Sequence, residues 1–303
     1  MDAAAISAPV GARDVAAPLS VPAWRRLRKS PQAVFGMTVV VAFVLVAGLA
    51  GWLAPYDYDD QSLADSLVPP VWMSGARSSH PLGTDELGRD TLSRLIFGAR
   101  TSLIVGIFSV GLAGLIGITV GVVVGYFEGR LGGFLMRVAD VQYSFPYILL
   151  AIGIIAFWGP GLRNVVIVLG LSGWMTFART GRASTLAVKE EDYVTAARAL
   201  GATQRRIIAR HILPNIMTPL LVYATFQIPS AMLGEATLSF LGLGIKPPMP
   251  SWGGMLAQNR GFLTTQPWLV FLPGLSLMTV ALAVNQLGDG LLDLLDPRVR
   301  GRV

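Results

Sequence analysis

Residue types able to do covalent chemistry are scarce in this chain of 303 residues, which has no cysteine and only two histidines, His80 and His211. The stretch GLSG, Gly170 to Gly173, sets Ser172 in an apolar segment where a nucleophilic serine could stand. A serine hydroxyl attacks a carbonyl only with a base within hydrogen-bond reach. His80 falls in a long polar loop and His211 in a basic island, so neither is expected to reach Ser172. No HExxH pair occurs, which removes a zinc protease, and without cysteine there is no disulfide or thiolate metal site. None of the three lysines, Lys29, Lys189 and Lys246, follows a glycine, so no GxxxxGK[ST] loop exists to cradle nucleotide phosphates. What remains are polar residues in apolar surroundings. Gln227, Glu235 and Asn285 could line a pathway that a solute follows, with interhelical hydrogen bonding as the competing role for the two amides. For Glu235 the competing role is structural, as a partner for an arginine or a backbone cap.

The elements that must position these residues are membrane spans. Hydrophobic residues make up 53% of the chain and charged ones 14%, about half the charged share of a soluble domain. Six apolar windows stand out, namely 34–53, 103–126, 141–158, 165–177, 216–233 and 268–287, the first long enough as a helix to cross roughly 30 Å of hydrocarbon. No acidic or basic residue falls in any of them, which argues against a proton-coupled carrier. The first begins after a preamble of about thirty residues and is read as a retained span, not as a cleaved leader. With six crossings both termini share one side, and that side carries 17 of the 24 Lys and Arg residues, so it is predicted to be cytoplasmic. The expected organisation is a cytoplasmic segment 1–33, a first span 34–53, an external loop 54–100 with an amphipathic helix, a five-helix core 101–290 that includes cytoplasmic helices within 184–214, and a cytoplasmic tail 291–303. The net charge of +6 is read as anchoring to anionic lipid headgroups and not as nucleic-acid binding.

Three local patterns refine this all-α reading. Gly117, Gly121 and Gly125 recur every four residues, which puts them on one helix face where another backbone can approach; the spacing leaves open whether that partner lies in this chain or another. Pro219 and Pro229 flank Gln227 in the fifth window, so a kinked helix lining a cavity is expected there. On the external side, GLGIKPPMPSW forms a stiff loop whose Pro247, Pro248, Pro250 and Trp252 either meet a partner or pack over the bundle's own mouth. Asp85, Arg89 and Asp90 are expected to form an ion-pair network at a helix start.

The basic island is EEDYVTAARALGATQRRIIARHILPN, residues 190–215. Tyr193, Ala196, Ala197 and Leu200 fall on one helical face, small in the middle and bulky at its ends. Gly201 is placed to end that helix at C′, and Thr203 to cap a second one carrying Arg205, Arg206 and Arg210. Pro214 is read as the point where the chain turns back into the membrane. A helix pair this short does not fold alone and must pack on something.

AARALG followed at a fixed distance by LP resembles the cytoplasmic coupling motif of binding-protein-dependent ABC importers, Glu-Ala-Ala, three residues, Gly, nine residues, Ile, one residue, Leu-Pro. Here it maps onto Thr195, Ala196, Ala197, Gly201, His211, Leu213 and Pro214, with Thr in place of Glu and His in place of Ile. DYVTAARALG and RHILPN, together with HPLGTDELGRDTLSRLIFGARTSL (80–103), LSFLGLGIKPPMPSWGGML (238–256) and NQLGDGLLDLLDPR (285–298), are similar to the second permease type of the dipeptide, oligopeptide and nickel branch. That resemblance implies a type I ABC importer permease fold in a bacterial cytoplasmic membrane, paired with a second, homologous permease. It also implies two ATPase subunits, or a fused pair, that bind ATP and Mg while this chain holds no cofactor, and a separate external substrate-binding protein. Asp192, Tyr193, Ala196, Ala197, Leu200, Gly201, Arg205, His211, Leu213 and Pro214 would form the ATPase-coupling surface. The cargo implied is a dipeptide or oligopeptide, with nickel or another small solute as the alternative.

Overall fold

The computed structural model describes residues 30–295, with only the backbone course given for 293–295. The segment 1–29 and the tail 296–303, where the preamble and the end of NQLGDGLLDLLDPR fall, lie outside the described residues. Among the described residues the structure is helical, with no strand beyond a single bridge between Thr84 and Asp90.

Helix α1, Pro31–Gly48, starts where a proline is tolerated, at its first position, under an N-cap hydroxyl from Ser30 that accepts from the Ala33 amide. One further turn, Ala50–Leu53, completes it. Helix α2 is much longer than its apolar window and runs Thr91–Phe127, capped by the Asp90 carboxylate, which accepts from the Ser93 amide at 2.8 Å. At 37 residues it is about 55 Å long, so its first turns stand beyond any hydrocarbon layer, and no separate amphipathic helix precedes it. The loop before it holds only one short 3-10 turn, Leu63–Asp65.

The third window is not one straight span. Helices α3, Arg130–Ser144, and α4, Tyr147–Trp158, meet at a bend of 91°. Pro146 has no amide hydrogen to donate, and the residue before it, Phe145, is forced into an extended backbone conformation at φ −90° and ψ 133°. Helix α5, Leu162–Lys189, extends twelve residues past its apolar window. Helix α6, Asp192–Ala199, and helix α7, Gln204–Ile207, form the island. Helix α8, Leu213–Phe240, follows α7 through a single π turn at Ile208–Ile212, where the Leu213 amide donates to the Ile208 carbonyl. The expected turn at Pro214 is therefore absent: the helix continues, and the wider turn accommodates a proline that cannot donate an amide hydrogen. Helices α9, Trp252–Asn259, and α10, Trp268–Leu295, complete the chain.

By length and composition α1, α2, α7–α8 and α10 can each cross a membrane, and the bent α3–α4 pair can do so as one unit. The longer helices also enclose charges that the apolar windows excluded. Arg94 in α2 and Glu235 in α8 are 2% and 1% exposed, and both are partnered.

The centre of the bundle is the contact between α2 and α5. Gly117 faces the Trp174 carbonyl and the Phe177 side chain, and a Cβ at Gly121 would lie 2.5 Å from the Ala178 carbonyl oxygen. At Gly125 it would lie 2.8 Å from the Thr185 Cβ. The partner of the glycine face is thus a helix of this same chain. Lys189 closes the far end by donating to Glu128, a hydrogen bond and charge that hold the Glu128 carboxyl below the ordinary carboxylate range. Helix α8 packs on α2, α5, α9 and α10, and α1 lies outermost on α10 and α2.

Replacing Gly121 by Val should overpack this seam and cost about 1–3 kcal/mol or more, lowering the thermal midpoint in detergent. Gly111→Ala, on the open face of the same helix with nothing within 4 Å, should instead gain about 0.5–1 kcal/mol of helix stability; equal midpoints for the two variants would contradict the packing described.

Candidate functional site

The island folds as an elbow. After α6, Gly201 takes φ +79°, a left-handed backbone that glycine adopts without a Cβ penalty. Its amide donates to the Arg198 carbonyl and the next amide, of Ala202, donates to the Ala197 carbonyl, at 3.0 and 3.1 Å. This is the Schellman pattern that satisfies the carbonyls at a helix end. Thr203 then caps α7, its hydroxyl accepting from the Arg206 amide. Four residues therefore separate two helices, and Asp192 in the first turn of α6 complements that helix's positive end.

The two sides of the elbow differ sharply. Underneath, Val194, Ile207, Ile212 and Ile216 are at most 1% exposed and join Val122, Phe177 and Leu220 in one apolar cluster, so the elbow is embedded in the ends of α2, α5 and α8. On top, Leu200 is 89% exposed, with Tyr193, Asp192, Ala196, Arg205 and Pro214 also in the open and Ala197, His211 and Leu213 half-covered. The Tyr193 and His211 rings lie 6.2 Å apart, one from each arm. The structure thus brings together the residues singled out from the island's spacing and turns their apolar members outward, with no described residue covering Leu200.

The polar residues of the bundle separate. Gln227 is half-buried and lines an open cavity of about 420 Å³ bordered by α2, α4, α5 and α8, whose other polar walls are Ser109, Tyr147, Ser172, Ser230 and Thr237, the last two exposed. Ser172 donates to the Val168 carbonyl at 2.7 Å, while His80 is held by Asp90 at 3.0 Å and His211 sits on the elbow. No base is aimed at Ser172. Asn285 is half-buried on α10 and does not line this cavity.

Glu235 departs from the expectation of an acid facing the pathway near the outer surface. It lies within α8, and its Oε1 accepts from the Ser239 hydroxyl at 2.6 Å and from the Ser251 hydroxyl at 2.7 Å. Ser251 in turn accepts from the Gly254 amide as the N-cap of α9. The carboxyl therefore pins the returning loop 241–251 to the helix it left, a partner role filled by two hydroxyls and not by an arginine. Trp252 is likewise turned inward: 4% exposed, it donates to the Leu95 carbonyl at 3.0 Å and packs on Phe43. Pro250 is buried with it, because α9 lies so close on α8 that Gly253 abuts Ala236, and only Pro247 and Pro248 remain open.

The expected network at the start of α2 forms in part and gains other members, whereas Asp90 stays outside it, held by His80 and Ser93. Arg89 donates to Asp85 at 2.7 Å, Arg94 pairs with the same carboxylate at 3.5 Å, and the Gln258 carbonyl of α9 accepts from Arg94 at 3.0 Å. These contacts tie α9 to the head of α2.

Glu235→Ala should leave two buried hydroxyls without their acceptor and cost about 1–3 kcal/mol, seen as a lower thermal midpoint and faster proteolysis within 241–251. Glu235→Gln keeps an acceptor and should lose less than half as much.

Residues 117–301 match the binding-protein-dependent transport system inner membrane component family, and residues 21–70 match the N-terminal TM domain of oligopeptide transport permease C. A di/tripeptide transport system permease protein of Pseudomonas aeruginosa is 43% identical over 277 residues, covering 91% of each chain. A glutathione transport system permease protein of Escherichia coli is 39% identical over 92% of this chain and 90% of its own. An inward-facing structure of the MetNI methionine ABC transporter superposes with a TM-score of 0.57 at 19% identity, over 68% of this chain and 98% of that one, which establishes the fold. With both its span-rich core and its first helix accounted for, the chain belongs to the family of inner membrane permease components of binding-protein-dependent ABC transport systems.

Proposed function

We propose that this permease carries short peptides inward and that ATP hydrolysed on separate subunits drives it through the elbow. The observation that carries the reading is the elbow itself: an apolar tip at Leu200, 89% exposed, on a base built into α2, α5 and α8. A surface that is open on one side and fused to the bundle on the other can be seated in a partner and still move the helices behind it. Asp192, Tyr193, Ala196, Ala197, Leu200, Gly201, Arg205, His211, Leu213 and Pro214 form or frame that surface, and Gly201 sets its angle.

In this reading the chain crosses the membrane six times with both ends in the cytoplasm, α3–α4 serving as one crossing and the apolar part of α5 as another. A homologous permease completes the pathway, for which Leu131, Phe134, Val138 and Val141, exposed along one face of α3, supply an apolar surface. Two ATPase subunits, which hold ATP and Mg, dock on the cytoplasmic side, and a substrate-binding protein delivers cargo outside, where Pro247 and Pro248 are exposed. Gln227 belongs to the pathway, whereas Glu235 braces it from outside the cavity and Asn285 acts between helices. Short peptides are the cargo class common to the relatives named for dipeptides, tripeptides and glutathione, and no ionisable residue in the cavity favours a metal ion.

Leu200→Asp changes a side chain that the described residues leave 89% exposed, so the thermal midpoint of the permease should stay unchanged. ATPase copurification and ATP-driven peptide uptake in proteoliposomes should each fall at least about tenfold, as expected for loss of an interface anchor. Full uptake with normal ATPase association would remove the elbow from the coupling step.

A further inference from the structure

The cavity around Gln227 is polar without being charged. Its polar wall consists of Ser109, Tyr147, Ser172, Gln227, Ser230 and Thr237, with no acidic or basic side chain among the lining residues. At about 420 Å³ it lies within the usual range of small-molecule sites. Three of the hydroxyls are already committed as donors to their own helices: Ser172 to Val168, Ser230 to Phe226 and Thr237 to Leu233. They can therefore offer only lone pairs to a guest. Ser109 differs. It is 2% exposed, and its Oγ has no hydrogen-bond partner among the described residues, a condition that buried polar groups in folded proteins rarely keep. On the same cavity wall, a Cβ at Gly173 would be 3.8 Å from the Gln227 Nε2 and 3.2 Å from the Ala113 Cβ, so the amide stands close over the bare backbone of α5.

We infer that this cavity is a station for the main chain of a peptide in transit, in which Ser109 and Gln227 bond to peptide amide groups and the uncharged wall treats acidic, neutral and basic side chains alike. The inference rests on the peptide-import reading above. Gln227 supplies both an N–H donor and a carbonyl acceptor, the complement of one peptide unit, while Ser172, Ser230 and Thr237 accept from amide N–H groups. Every peptide presents this pattern whatever its sequence. Such contacts are few and neutral, which suits a passage that must release what it admits. A fixed charge on this wall would instead attract one class of peptide and repel the other.

The test uses the complete importer, purified with its companion subunits and reconstituted with saturating binding protein. It compares initial ATP-driven uptake of three tripeptides that differ only in a central Asp, Ala or Lys. Wild-type uptake of the Asp and Lys peptides, each normalised to its own binding-protein affinity, should agree within about twofold. Gln227→Glu should depress the Asp peptide relative to the Lys peptide by about tenfold, and Gln227→Lys should reverse that order. Ser109→Val should slow all three peptides together. A purely structural role for Gln227 would lower uptake without moving the Asp-to-Lys ratio, so an unmoved ratio in both charged variants, with peptide uptake intact in the wild type, overturns this inference and leaves the peptide reading standing. A wild-type importer that moves none of the three peptides but moves another solute overturns the peptide reading itself, and this inference with it.

Discussion

The backbone of α2 lies directly on the backbone of α5 at Gly117, Gly121 and Gly125, and most other placements in the protein follow from that contact. In a membrane the hydrocarbon outside is as apolar as any side chain, so helices gain little from hiding leucine and associate mainly through close packing. Side chains at these three positions would hold the axes apart. Because they are absent, Phe177 and Ala178 come within reach of α2, and the cluster that embeds the elbow can form around Phe177, Val122 and Ile216.

That arrangement joins the elbow to the cavity through continuous structure. Helix α5 enters the elbow from one side and α8 leaves it on the other, with the π turn as the only irregularity between α7 and α8. Gln227 on α8 and Ser172 on α5 both face the cavity, so the two helices that bound the elbow also bound the space a solute would occupy. A displacement of the elbow that changed the angle between them would change the cavity's shape. The outer end is held differently: Glu235, Ser239 and Ser251 fix the loop to α8, and Arg94 with Gln258 fixes α9 to α2. The cap is thereby attached to α8 and to α2, one of the two partners of the seam.

What could be read in the sequence was what depends on near neighbours. The glycine face, the C′ glycine at 201, the Thr203 cap and the carboxylate cap at Asp90 are set by residues within a turn or two. Long-range pairing was hidden. Glu235 finds Ser251 sixteen residues on, and Arg94 finds Gln258 across 164, and nothing in either local stretch names the partner. For Trp252 the sequence left partner contact and packing on the bundle open, and the burial of α9 decides for packing. The break in the third window did carry a signal, the proline of SFPY, which an apolar run obscured because composition is blind to a missing amide hydrogen. Pro214 produced the opposite error. A proline ends a helix only where the backbone cannot widen, and tertiary packing on Ile212 and Ile216 keeps the chain helical there.

The π turn at Ile208–Ile212 has one further consequence. It holds one more residue than an α-helical turn needs, so the elbow-side and membrane-side segments of this rod keep independent angular settings about their common axis. Gaining or losing a residue at this turn would therefore rotate the elbow about the axis of α8 while the helix beyond it, with Gln227, kept its own register.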